Sequence, residues 1–304
     1  MTNTTKTIAV VGAAGATGGG LARAILDDPH GGYGCRAITR TPDSATAREL
    51  ADRGATVVRA DLDDVDSLIA AFDGAYGAFC MTSFFEHFDA EREALQAANQ
   101  ARAAAAAGIR HAIWSTAEDT RQRYPLDEDR MPTLQGRFKV PQWDAKAEGD
   151  RRFDDAGVPT TYLLTPFHWE AWVSGLGARQ LGPDGVLTMA MPLGDALLPG
   201  IAAEDIGRCA YGVFCAGEKG TVALSHRARP AQLIFLLAAL PTSPESSSWV
   251  VEAPKRDAMS WVECRWSAGF RRDVRGSAQC NSAGEGGARH SVAACFSSTS
   301  GDKI

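Results

Sequence analysis

The chain has 304 residues, 45% of them hydrophobic and 22% charged, with a formal net charge of −6. Those proportions belong to a folded globular chain of one large domain or two modest ones. The acidic balance and the lack of a basic block argue against nonspecific nucleic-acid binding, which needs clustered Lys and Arg. No apolar run approaches the ~20 residues that span a bilayer, so no membrane association is expected. The start, MTNTTKTIAVVG, has no signal-peptide core and no cleavage site, which reads as a cytoplasmic protein. The seven cysteines form no CxxC pair and no metal-ligand spacing, so no metal is expected. Cys35 and Cys80 read as small core residues.

From the start of the chain to about residue 165, strand and helix patterns alternate. Ile8-Ala9-Val10-Val11 is a short apolar run ending in glycines, which reads as a buried strand. Leu21, Ala22, Ile25 and Leu26 then recur at helical spacing. Ala37-Ile38-Thr39 is a second strand, Thr46 to Arg53 a helix stopped by Gly54, and Thr56-Val57-Val58 a third strand. Val65, Leu68, Ile69 and Phe72 mark the next helix, and Tyr76 to Met81 a fourth strand. Ala90 to Ala107 is a long helix ended by Gly108 as its C-terminal cap. His111 to Ser115 is a fifth strand, Trp143 to Ala156 a helix, and Thr160 to Leu164 a sixth strand. Helices between successive apolar strands imply right-handed crossovers and a parallel sheet covered on both faces. The expected fold is therefore α/β, a doubly wound Rossmann sheet, with a smaller C-terminal lobe.

Beyond about residue 166 the alternation loosens. Gly182 to Gly185 reads as a turn, Val186 to Met191 as a strand, and Glu204-Asp205-Ile206-Gly207 as a helix start with acidic residues in its first turn. The expected division is a dinucleotide-binding domain over 1–165, a smaller substrate or partner lobe over 166–240, and an irregular tail over 241–304. The tail holds three of the seven cysteines and three tryptophans, Trp249, Trp261 and Trp266, without periodicity. Intrinsic disorder is one account of it. The other is a shift of reading frame near residue 227, which would leave the C-terminal lobe incomplete and which the coding DNA would reveal.

VVGAAGATGGG places Gly12, Gly15 and Gly18 at three-residue intervals, directly after the first strand and before the first helix. That context is what a dinucleotide turn requires. Gly12 lets the chain turn sharply, Gly15 admits a diphosphate close to backbone, and Gly18 lets the helix pack tightly. The helix N-terminus then offers free N–H groups to the phosphates. The cofactor-binding turn comprises Gly12, Ala13, Ala14, Gly15, Ala16, Thr17 and Gly18. At the end of the second strand, where an NAD site usually carries Asp or Glu, stands Arg40. A guanidinium cannot accept from a ribose diol, but it can grip a 2′-phosphate, so NADP(H) is expected over NAD(H). Asp61 and Leu62 would lie by the adenine; a helix N-cap explains Asp61 almost equally well.

These residues, together with ITRTP, RADLDD, MTSFFE, QWDAK, DDAGVPTTYLLTPFHWE and AAEDIG, resemble the NmrA-like family of atypical short-chain dehydrogenases, and most of all its NADP-sensing branch. The likeness runs from about Lys6 to about Leu224. It implies a Rossmann domain that holds NADP through Gly12 to Gly18 and Arg40. It implies that Thr82 and Phe84 flank the nicotinamide side and that Lys146 contacts the nicotinamide ribose. Phe167, His168, Trp169 and Glu170 would close over that ring. The family's sensor members answer to the ratio of reduced to oxidised cofactor and bind protein partners. Its enzyme members reduce quinones or related compounds.

QWDAK puts Lys146 where many reductases carry the lysine of Tyr-x-x-x-Lys, with Gln142 in place of the tyrosine. An amide cannot deliver the proton that a developing alkoxide needs. His168, just past the sixth strand, is the best substitute acid, though a satisfied loop histidine is the plainer reading. Lys146 and His168 are thus the candidate catalytic residues. Two functions remain: an NADP(H)-binding redox regulator with a protein partner or a second copy, and an NADPH-dependent reductase of quinones or similar electron-poor compounds. Phe84, Phe85, Phe88, Trp169 and Trp172 could line a pocket for a flat substrate, but their spacing favours core.

Overall fold

The computed structural model describes residues 5–172, 179–181, 187–189, 200–216 and 233–235. The strands are β1 (Lys6–Val11), β2 (Tyr33–Thr39), β3 (Thr56–Arg59), β4 (Gly77–Cys80), β5 (His111–Thr116), β6 (Thr160–Leu164), β7 (Phe167–His168), β8 (Arg179–Leu181), β9 (Leu187–Met189), β10 (Gly200–Ile201) and β11 (Leu233–Phe235). The helices are α1 (Ala16–Leu26), α2 (Ala45–Asp52), α3 (Val65–Phe72), α4 (Ala90–Ala106), α5 (Pro141–Asp155) and α6 (Ala203–Cys215). The main sheet has the order β11-β6-β5-β4-β1-β2-β3, and every pairing in it is parallel. The order reverses at β1, the switch point of a doubly wound sheet. β7 pairs with β10, and β8 with β9, outside it.

Alternation along the strands makes two cores. Ile8, Val10, Phe79, Ile113 and Leu163 face α1 and α6, while Ala9, Val11, Ala78, Cys80, Trp114 and Tyr162 face the side of α3, α4 and α5. Cys35 and Cys80 are buried as expected. Tyr162 is core too, and its hydroxyl lies 2.5 Å from Asp154 Oδ1.

β6 runs over the residues that its apolar run predicts. α5 starts at Pro141 rather than Trp143, because proline fits the first helical position, where its missing N–H costs nothing. β2 begins at Tyr33 rather than Ala37, since Lys6 pairs with Tyr33 and the Tyr33 hydroxyl donates to the Phe214 carbonyl at 2.6 Å. That anchor comes from a helix far along the chain. The expected tail over 241–304, the turn over 182–185 and the three tail tryptophans lie outside the described residues. Among the described residues, no helix is long and apolar enough to cross a membrane and no group of side chains could hold a metal.

α6 packs on α1 inside the first core, through Ile206, Ala210, Val213 and Phe214. The approach is close because glycines face each other. A Cβ on Gly207 would lie 2.1 Å from the Leu21 nitrogen, and one on Gly20 2.3 Å from the Glu204 oxygen. Backbone cannot yield as a side-chain tip can, so Gly207→Ala must push the helices apart. The expected cost is about 1–3 kcal/mol, read from the urea midpoint. An unchanged midpoint would mean that the contact is slack.

Candidate functional site

The parallel sheet brings the loops after β1, β2, β3, β4, β5 and β6 to one edge, and the sequence-predicted residues gather there. Gly12 turns at φ +68°, in the left-handed region, and a Cβ there would meet Met81 Sδ at 2.7 Å. A Cβ on Gly18 would fall 2.5 Å from the Gly12 oxygen, so α1 can fold back on its own turn only with glycine at this position. Gly15 is the N-cap of α1, and no side chain caps the helix. The N–H groups of the first turn are therefore not taken up by a capping side chain, which suits a phosphate. Ala13 and Thr17 are buried beneath the turn, while Gly15 and Ala16 are exposed.

Arg40 follows β2, and its Nη2 donates to Glu86 Oε2 at 2.5 Å. Glu86 belongs to a one-turn 3-10 helix, Phe84–Glu86, after β4. Asp61 is not a helix cap: Asp64 caps α3 by accepting from the Asp66 and Ser67 N–H groups, whereas Asp61 accepts from the Asp63 N–H at 3.0 Å. Of the two readings of Asp61, the structure removes the cap. The Leu62 carbonyl is held by Asn99 Nδ2 at 2.8 Å.

α4 shapes this edge. Asn99, Gln96 and Gln100 lie on its buried side and reach the loops: Gln96 to Asp63 at 2.9 Å, Gln100 to both the N–H and the carbonyl of Met81 at 3.1 Å. Glu93, on the same side and fully buried, accepts from the Thr82 hydroxyl at 2.6 Å. Lys146 Nζ donates to the Thr82 carbonyl and hydroxyl oxygens, each at 2.9 Å, and lies 3.4 Å from Glu93 Oε1. It also sits 5.5 Å from the centre of the Trp114 ring. His87 Nδ1 accepts from the Asp89 N–H, which in the neutral ring leaves the proton on Nε2, 3.4 Å from Glu93 Oε2. The lysine of QWDAK thus belongs to a buried group made of Thr82, Glu93 and His87, with Gln142 one turn before it.

Phe84 packs on Ala90, Phe138 and Ala145. Phe85 and Phe88, for which spacing predicts core, are instead 50% and 60% exposed. The three rings meet edge to face, each centroid 5.8 Å from the other two. Phe88 is held at φ +56° and Gln135 at φ +45°. The Gln135 amide donates to the Phe88 carbonyl and accepts from the Ala90 N–H, each at 2.9 Å. Two strained residues locked together in this way mark a loop shape that the surroundings enforce.

Phe167 and Trp169 meet at 6.2 Å between ring centroids beside β10. Glu170, expected over the nicotinamide, turns both carboxylate oxygens to the Ala203 N–H at 3.0 and 2.9 Å, at the start of α6. Burial pushes His168 below the usual histidine range; the charge of Glu170 opposes this and that of Lys146 adds to it. The ring is therefore neutral at neutral pH and lacks the charged form that a strong acid would offer. Of the expected aromatic residues, the side chain of Trp172 lies outside what is described.

Sequence reasoning missed Glu86, Glu93, His87 and Asp144. Glu93 had a signal: it falls on the helix side of Ala90, Ala94 and Ala97, where a carboxylate is out of place. Asp144 is the third residue of QWDAK and fully buried. Its carboxylate accepts from Thr120 N–H (2.8 Å), the Thr120 hydroxyl (2.6 Å), Lys139 N–H (2.7 Å) and Val140 N–H (3.1 Å). This fixes the start of α5, and with it the position of Lys146.

Fold and edge together define a Rossmann-type protein whose candidate site lies over the switch point at β1. The chain belongs to the NmrA-like family, whose model matches residues 4–224. It is 28% identical over 239 residues to the NmrA-like family domain-containing oxidoreductase FrzB of Cladobotryum sp., covering 70% of this chain and 65% of FrzB. The chain therefore spans just under two thirds of that relative's length. It matches the crystal structure of NmrA, a negative transcriptional regulator, with a TM-score of 0.62 and 26% identity, covering 77% of this chain and 68% of NmrA. NmrA has been solved with NAD and with NADP. The Citrobacter triphenylmethane reductase complexed with NADP(H) shares the fold, with a TM-score of 0.52 at 20% identity over 68% of this chain and 65% of the reductase.

Two aspartates of α5 should respond in opposite ways to loss of charge. Asp144→Asn replaces an acceptor with a donor facing donors, and should destabilise by roughly 2–4 kcal/mol. Asp150 Oδ1 is shielded from solvent and has no hydrogen-bond partner among the described residues. Burial, only partly offset by the nearby polar groups of Thr116 and Trp114, pushes its carboxyl up from 3.8 to about 7. The folded form then holds the proton more tightly than the unfolded form, so this group costs stability as pH rises from about 4 through 7. Asp150→Asn should match the wild type near pH 4 and gain on the order of 1–3 kcal/mol at pH 8. Thermal melts across pH check both; a constant difference between Asp150→Asn and wild type would show that the carboxyl titrates normally.

Proposed function

We propose that this chain binds a nicotinamide dinucleotide along the carboxyl edge of its sheet, prefers NADP(H), and works as a redox-responsive regulator. In this reading the diphosphate rests on Gly12 to Gly18 and the 2′-phosphate on Arg40. The adenine lies by Asp61 and Leu62. The nicotinamide end meets Thr82, Phe84, Lys146 and the segment Phe167 to Glu170. Residues 1–165 carry the cofactor, and the described part of 166–240 packs against them through α6 and β11. Cofactor occupancy changes the loops at this edge, and a protein partner or a second copy reads the change.

One observation carries the regulatory reading: the lysine of the reductase motif is not set beside an acid. Gln142 stands where the phenol would be, and the Lys146 ammonium is committed to Thr82 and Glu93. An ammonium paired with a buried carboxylate has its charge largely compensated, so it lowers the pKa of a neighbouring donor less. His168, held neutral by burial, is a poor replacement.

A reductase is the second reading, and the exposed Phe85 and Phe88 favour it. Each leaves ring surface exposed next to Phe84, and a quinone could stack on one of them. A quinone reduced by hydride can take its proton from water or from a lysine, so it tolerates the missing tyrosine. FrzB is described as an oxidoreductase and a more distant fold relative as an NADPH-dependent quinone oxidoreductase, which supports keeping this reading.

Stability titrations of the purified chain with NADPH, NADP, NADH and NAD test both readings. At 100 times the dissociation constant, a bound nucleotide should add ~2.7 kcal/mol, with the phosphorylated pair giving the larger shift at equal concentration. Regulation predicts that shift with no NADPH consumption over a panel of quinones; steady consumption would establish the reductase instead. No shift with any nucleotide at millimolar concentration would overturn both.

A further inference from the structure

We infer that Glu86 is a specificity-determining residue that works against Arg40, holding down the preference for phosphorylated nucleotides. The inference rests on the cofactor reading above and deepens it.

The argument begins with topology. Arg40 follows β2, Glu86 follows β4, and β1 lies between those strands. All three run parallel, so their ends lie at the same edge. Neighbouring strands are about 4.8 Å apart, which puts β2 and β4 about 10 Å from each other. The contact between Arg40 Nη2 and Glu86 Oε2 at 2.5 Å therefore passes over the end of β1, where the glycine turn departs. It crosses the groove that the adenosine half of a dinucleotide would enter.

Both side chains are about half exposed, 56% for Arg40 and 50% for Glu86. Such a pair is worth little and exchanges readily. The loop that carries Glu86 does not depend on it. The Glu86 N–H donates to the Ser83 carbonyl at 3.1 Å, the Phe88 N–H to the Phe84 carbonyl at 2.7 Å, and Gln135 clamps the end.

A 2′-phosphate carries between one and two negative charges near neutral pH. For Arg40 to grip it, Glu86 must release the guanidinium or remain beside the phosphate as a like charge. Either outcome penalises only the phosphorylated nucleotide. An unphosphorylated ribose brings a hydroxyl at that point, and the Glu86 carboxylate can accept from it without giving up Arg40. Arg40 favours the phosphate and Glu86 disfavours it, so the preference that remains is the difference between the two.

Calorimetric titration of wild type, Glu86→Gln and Glu86→Ala with NADP, NADPH, NAD and NADH tests this. The variants should bind NADP and NADPH about two- to fivefold more tightly, the worth of an exposed ion pair, and bind NAD and NADH no better than wild type. The ratio of the two affinities then rises in both variants. If wild type binds these nucleotides and the ratio is unchanged or falls in both variants, Glu86 does not set specificity and the inference is overturned while the cofactor reading stands. If wild type binds none of the four, the cofactor reading itself fails.

Discussion

The bend at the end of β1 is the constraint on which the rest of the structure depends. Gly12 leaves the strand at a positive φ, and α1 then returns so closely that its fourth residue before Leu21, Thr17, is buried beneath the turn. Gly18 makes that return possible by having no Cβ to strike the Gly12 oxygen. The same helix presents Gly20 to α6, whose Gly207 lets the two backbones meet. One run of glycines thus shapes the tight turn at the mouth of α1 and the close contact of that helix with α6. Changing the packing of α6 would tilt α1, and tilting α1 would move the N–H groups at its mouth.

The opposite wall of the edge is built on polar chemistry. α4 buries Glu93, Gln96, Asn99 and Gln100 rather than an unbroken apolar stripe. Each reaches a loop at the edge or a side chain in it, so the segments after β3 and β4 are fixed by hydrogen bonds and not by shape alone. Buried polar groups are tolerated when partnered and costly when not, which makes such a set rigid. A rigid wall at Thr82 and a clamped, strained loop at Phe88 together give the edge a defined shape where loops are usually soft.

The architecture was legible in the sequence because its signals are local. The apolar run Thr160 to Leu164 has few ways to be anything but a strand, and Gly108 can take the left-handed turn that ends α4. The glycine spacing after β1 needs no knowledge of distant residues either. What escaped was every feature that depends on two loops meeting. Glu86 and Arg40 are far apart in sequence, and nothing in MTSFFE shows that its carboxylate meets the guanidinium of ITRTP. The burial of Asp144 inside QWDAK is hidden because its partners lie at Thr120 and Lys139, in a loop without periodicity. Exposure of Phe85 and Phe88 was unreadable for the opposite reason: their spacing suits a core, and only the loop's fold turns them outward.

These observations bear on why a lysine persists without its tyrosine. In a reductase site, the ammonium serves chemistry by acting on an acid beside it. Here its neighbours are a threonine and a carboxylate on α4, and its own helix is pinned by Asp144. Glu93 is fully buried with Lys146 Nζ 3.4 Å away, and breaking such a pair leaves an uncompensated buried charge. Lys146 therefore has a structural reason to be present that is independent of turnover. Its remaining freedom is to donate to whatever lies over Thr82. The lysine is thus compatible with both readings of function, and the missing phenol weighs only against a reductase that needs an acid at the substrate oxygen, not against one whose substrate takes its proton from water.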